Sequence, residues 1–178
     1  MRRIISFCLW GDAPLYNVGA IRNAELADVY FPEWDCRFYI GDDVPSKTIY
    51  ELNSFDNTEI VMMNEYENDW QASIWRFFAI DLNADAEYVI LRDTDCRLGE
   101  REKRAVDVWI NSGKAMHIMR DHPLHTHPIL AGMWGCHVPK FFEMFKNKKL
   151  PTDGTMKDVY SKWLAHSMQV TAGVKQPP

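Results

Sequence analysis

The chain has 178 residues, a formal net charge of -5 and an apolar fraction of 47%, with 13% aromatic residues. That length suits one domain with a sizeable core of its own, and the apolar content excludes an intrinsically disordered chain. The acidic balance excludes a general nucleic-acid binder, which needs clustered positive charge against phosphate.

Seven tryptophans suggest binding surfaces as well as core. The four cysteines, Cys8, Cys36, Cys96 and Cys136, are widely spaced and lack the close pairs of a zinc ribbon or redox motif, so they read as reduced thiols of a cytosolic protein. No stretch reaches the roughly 18 to 20 apolar residues of a membrane span. Met1-Arg2-Arg3 runs directly into a strand rather than a signal peptide, with Arg2 and Arg3 leaving room for a peripheral membrane contact.

Taken in order, Ile4 to Leu9 is a nearly continuous apolar run, the pattern of a strand buried on both faces, and it opens at Trp10-Gly11-Asp12. Residues 17–30 place Ala20, Ala24 and Ala27 at helical spacing, a small-residue face suited to close packing on a sheet. Arg37 to Ile40 is a second strand, Pro45 starts a helix carrying Ile49 and Leu52, and Thr58 to Met63 is a third strand. Residues 69–82 form an apolar-striped helix, Tyr88 to Leu91 a fourth strand, residues 99–113 a helix with Glu100 and Glu102 in its first turn, and Ala115 to Met119 a fifth strand. Residues 139–148 are predicted helical. The alternation predicts an α/β fold, a mainly parallel sheet covered on both faces, over residues 1–150. Residues 151–178 are predicted to add a helix and a frayed tail rather than a second domain.

The fourth strand ends at Asp93-Thr94-Asp95. Carboxylates two apart on an extended segment can point the same way, and paired hard oxygens suit Mg²⁺ or Mn²⁺. A solvated acidic turn fits the same spacing. Beyond the fifth strand lie Arg120-Asp121-His122-Pro123-Leu124-His125-Thr126-His127 and Gly132-Met133-Trp134-Gly135. The histidines suit contacts to ligand hydroxyls, or a zinc site, and Trp134 between glycines reads either as an exposed platform for the apolar face of a sugar or as a core indole.

The order of strand, Asp93-Thr94-Asp95, Trp-bearing helix, strand, Arg-Asp-His-Pro loop and Gly-Met-Trp-Gly resembles small nucleotide-sugar-dependent glycosyltransferases of the GT-A fold, most of all bacterial and viral members that build surface glycans. The matching positions run from about Ile5 to Trp134. The resemblance implies a Rossmann-like α/β/α sandwich, a UDP- or GDP-sugar donor, a glycan or a lipid- or protein-linked sugar as acceptor, and Mn²⁺ or Mg²⁺ held by Asp95, with Asp93 on the metal, its water or the donor ribose. It implies nucleotide contacts from Trp10, Gly11, Asp12 and Arg22, and charge against the diphosphate or sugar from Arg76 or Arg92, although Trp10 also reads as a core residue. Arg92 can instead form an internal ion pair. Asp121, which ends the next apolar strand, is either the catalytic or sugar-binding carboxylate or an Asx-turn acceptor before His122-Pro123, with His122, His125 and Trp134 at the acceptor or sugar. The chain departs from the family after Leu150, where similar enzymes continue with an Asp-Gln pair and often a late His on the metal; here His166 alone remains. A nucleotide-sugar or glycan-binding module without turnover is the alternative. A nucleotidyltransferase is a further one, although residues 9–15 lack its phosphate loop.

Overall fold

A computed structural model describes residues 2–64, 70–81, 85–120, 123 and 128–145. The strands are β1 (Arg2–Leu9), β2 (Asp35–Ile40), β3 (Thr58–Met62), β4 (Ala86–Arg92), β5 (Met116–Ile118) and β6 (Met133–His137). The helices are α1 (Pro14–Tyr30), α2 (Ser46–Leu52), α3 (Glu100–Ser112), α4 (Val138–Phe145) and a 3₁₀ helix over Trp70–Ala79. Among the described residues the strands form one mixed sheet in the order β3-β2-β1-β4-β6-β5. The first four in that order pair in parallel, whereas β6 runs antiparallel to both β4 and β5.

Alternation of side chains along β1 builds a core on each face of the sheet. Ile5, Phe7 and Leu9 pack with Ala20, Ala24 and Ala27 of α1 and with Val106 and Trp109 of α3. Ile4 and Cys8 pack on the opposite side with Ala72, Trp75 and Ala79 of the 3₁₀ helix and with Val138. Burial on both faces is why β1 and the end of β4 read as unbroken apolar runs. The alanines of α1 are fully buried, so the helix axis sits close to the strands beneath it.

Two elements differ from the sequence reading. Within the segment predicted as a helix over 69–82, Trp70–Ala79 is wound as a 3₁₀ helix; Arg76 and Ala79 are buried there, and so are Ala72, Trp75 and Phe78 at every third position. Three residues per turn stack those side chains into one ridge against the sheet. The Gly-Met-Trp-Gly segment, read as a loop or platform, is largely strand β6. Gly135 crosses β4 so closely that a Cβ there would lie 2.6 Å from the carbonyl oxygen of Val89. Trp134 is 7% exposed, with its ring 6.0 Å from Phe77 and 5.9 Å from Phe141, so its indole is core rather than an exposed sugar platform.

At the amino ends of the parallel strands, Arg2 donates to Asp35, Glu59 and Asp85, and Arg37 donates to Glu59 and Asp85. Arg3 pairs with Glu33. The guanidinium groups of Arg2 and Arg3 are therefore engaged by acids of the chain itself. No helix among the described residues is long and apolar enough to cross a membrane.

Candidate functional site

Where β4 ends, the chain turns through Asp93-Thr94-Asp95 at the carboxyl end of the sheet, with the end of β1 on one side and the start of β6 on the other. Ligands of open α/β sheets bind at such an edge. The turn closes with the amide of Cys96 donating to the carbonyl of Asp93 at 3.3 Å. Asn23 of α1 fixes it further: its Nδ2 donates to the carbonyls of Thr94 (3.2 Å) and Cys96 (2.9 Å), and its Oδ1 accepts from the amide of Leu98 at 3.0 Å. Gly19 makes this approach possible, since a Cβ there would fall 2.0 Å from the carbonyl oxygen of Thr94.

Asp93 is gripped from two sides. Its Oδ1 accepts from Nη1 of Arg76, while Oδ2 rests over Gly132, where a Cβ would come within 2.0 Å. Arg76 is 4% exposed and also donates to the carbonyls of Ser73 at 2.8 Å and Arg92 at 3.2 Å. Its own carbonyl accepts from Ser6 Oγ at 2.7 Å. Arg76 thus stands behind Asp93 instead of reaching a diphosphate.

Arg92 is 1% exposed. It donates to Glu102 and to the carbonyls of Leu91 (2.6 Å) and Trp134 (3.1 Å), tying β4 to α3 and β6. Of the two readings of Arg92, the internal ion pair is the one observed. His117 of β5 stacks on Trp109 with ring centroids 5.4 Å apart, and its Nε2 is buried with no hydrogen-bond partner among the described residues. Burial first, then the charge of Arg92, lowers its pKa to about 4.

Asp95 and Cys96 are exposed. One ligand atom from each of Asp93, Asp95 and Cys96 lies within 4.8 Å of the others, close enough to share one cation. Asp93 divides its carboxylate with Arg76, whereas Asp95 has no hydrogen bond or ion pair among the described residues. Two carboxylates and a thiol form a donor set that Mn²⁺ tolerates better than Mg²⁺, which demands oxygen. Desolvation and the neighbouring carboxylates of Asp95 and Asp93 push the Cys96 thiol up from its ordinary pKa.

The turn separates two cavities. The smaller, about 210 Å³, is lined by Leu9, Trp10, Gly11, Asp12, Tyr16 and Thr94. Trp10 meets Trp75 edge-on at 6.5 Å, and Gly11, at φ 72, donates its amide to Asp43 Oδ1 at 2.8 Å. The larger, about 660 Å³, includes Asn23, Asp93, Arg97, Arg101, Met119 and Gly132 in its lining.

Of the residues expected from sequence, Trp10, Gly11 and Asp12 converge on the smaller cavity, Arg92 and Asp93 on the larger, and Asp95 sits at the exposed turn between them. Arg22 belongs with neither: it points to solvent on α1 and pairs with Glu25, because the next position, Asn23, is the one that faces the turn. Asp121, His122, His125 and His127 lie outside the described residues. Asn23, Arg97 and Gly132 emerge from the structure. The polar interruption that Asn23 makes among the alanines of α1 is the one signal of this in the sequence. No protein-family model matches the chain, and the curated proteins contain no significant match to it.

Proposed function

We propose that the protein is a metal-dependent glycosyltransferase of GT-A type that moves a sugar from a nucleoside diphosphate sugar to a hydroxyl of a glycan or similar acceptor. The observation that carries this reading is the Asp93, Asp95 and Cys96 cluster, with ligand atoms within 4.8 Å of one another, on a turn between two cavities. A mixed six-strand sheet with helices on both faces is compatible with it.

In this reading the smaller cavity receives the nucleoside, with the rings of Trp10 and Tyr16 available to the base and Asp12 to the ribose hydroxyls. The diphosphate crosses the turn and the sugar enters the larger cavity. A bound Mn²⁺ or Mg²⁺ supplies charge against the diphosphate leaving group. Asp95 is the main holder of that ion, and Asp93, kept in place by Arg76, orients the second side of the site. A carboxylate fixed in advance, as Asp93 is by Arg76, saves the reorganisation that a mobile one would cost during reaction.

Incubating the protein with a panel of UDP- and GDP-sugars and Mn²⁺, and following nucleotide release, tests the proposal. Release is expected with one donor, is abolished by a chelator, and is lost in Asp95→Asn with melting unchanged. Absence of release with every donor sinks it, and calorimetric Mn²⁺-dependent UDP binding without release identifies a binding module instead.

A further inference from the structure

We infer that the larger cavity takes a sugar carrying a negative charge, a carboxylate or a phosphate, in place of a neutral hexose. That the ligand is a sugar rests on the glycosyltransferase reading; that it is anionic rests on the cavity wall.

Arg97, an exposed residue of the cavity lining, is the principal feature. Its Nη1 donates to the carbonyls of Thr94 at 3.0 Å and Cys96 at 2.8 Å, so the guanidinium is tethered to the turn rather than free on a long side chain. Gly19 clears the space for it, since a Cβ there would stand 2.9 Å from Nη1. Both partners of Arg97 are neutral carbonyls, and among the described residues no carboxylate pairs with it. The carboxylates that line the same cavity already answer other cations, Asp93 to Arg76 and Glu102 to Arg92. Arg101, in the first turn of α3, lines the same cavity.

A guanidinium offers donors and no acceptor, and its fixed fork matches carboxylate and phosphate geometry. A neutral hexose entering this wall strips water from a cation without supplying a counter-charge, which is unfavourable. An acidic substituent supplies it. The charge comes either from the transferred sugar, as in a uronate, or from the acceptor, as in a sugar phosphate.

Calorimetry in the presence of Mn²⁺ separates the sources. One arm compares UDP-glucuronate with UDP-glucose. The other compares glucose 6-phosphate with glucose, each titrated into protein saturated with UDP. In one arm the charged ligand is expected to bind about tenfold more tightly than its neutral counterpart, the scale of one charge-assisted pair. Arg97→Gln is expected to erase that preference, and Arg97→Lys to restore part of it. Equal affinities for charged and neutral ligands in both arms overturn the inference. An equal loss of UDP and of charged sugar in Arg97→Gln also overturns it, by assigning Arg97 to the diphosphate. Failure of UDP and GDP alike to bind with Mn²⁺ sinks the underlying glycosyltransferase reading, a result distinct from the other two.

Discussion

Arg76 donates through Nη1 to Oδ1 of Asp93, and the same nitrogen reaches the carbonyl of Arg92 at 3.2 Å, so one buried guanidinium holds both the end of β4 and the first acid of the turn. Removing it strands a carboxylate and the Ser73 and Arg92 carbonyls together. Arg76→Met is expected to cost about 2 to 3 kcal/mol in urea denaturation. Arg76→Lys recovers only part of this, because an ammonium cannot cover the sites that Nε and Nη1 reach in one plane. Titration of Mn²⁺ followed by electron paramagnetic resonance should show weaker binding in both variants; unchanged Mn²⁺ affinity means that Asp93 needs no such anchor.

Gly132 and Gly19 make a graded pair. At each, a Cβ would come 2.0 Å from an oxygen, the Asp93 carboxylate for Gly132 and the Thr94 carbonyl for Gly19. A carboxylate swings away at modest cost, but a main-chain carbonyl takes the whole turn with it. Gly132→Ala is expected to lower stability by about 1 kcal/mol and Gly19→Ala by about 3 kcal/mol. Thermal melts rank the two, and the reverse order contradicts the packing described for α1.

Trp134→Ala leaves a large void between Phe77 and Phe141. A loss of about 3 to 5 kcal/mol is expected by chemical denaturation. Full stability with a selective defect in sugar binding would instead make the indole a ligand platform.

His117 sets a pH dependence. Its pKa of about 4 in the folded protein lies below the ordinary 6.5, so between these values the unfolded chain takes up a proton that the folded chain refuses. Stability is therefore full above pH 6.5, falls as pH drops from 6.5 towards 4, and gains no further slope from this residue below 4. His117→Phe keeps a ring against Trp109 and removes the titration. Denaturation midpoints measured across that window should flatten in the variant, and an identical slope in both proteins would assign the acid sensitivity to other groups.

What the sequence exposes, and what it conceals, follows from how local each contact is. β1, β2 and β4 are legible because burial on both faces forces apolar runs, and Asp93 and Asp95 stand out because acids end such a run. The 3₁₀ winding is hidden because apolar residues spaced by three and four satisfy either period over three turns. β6 is hidden for a different reason: it is short, interrupted by the glycine it needs against Val89, and its partner on β4 pairs Arg92 with Met133, far back in the chain. Arg76 and Arg92 invite a ligand role while their engagement with carbonyls is unseen. Arg22 and Asn23 differ by one helical step, about 100° around the axis, which is enough to exchange a surface ion pair for the brace of the turn.

The antiparallel strand also makes one edge of the sheet depend on another. β5 joins the sheet through β6, which follows it in the chain, so β5 has no strand neighbour until residues 133–137 dock. Until then β4 presents an open edge from Tyr88 to Arg92, immediately before the acidic turn. Gly132 arrives beside Asp93 in the same event. The acidic pair is thus encoded early in the chain and acquires its second wall as the sheet closes.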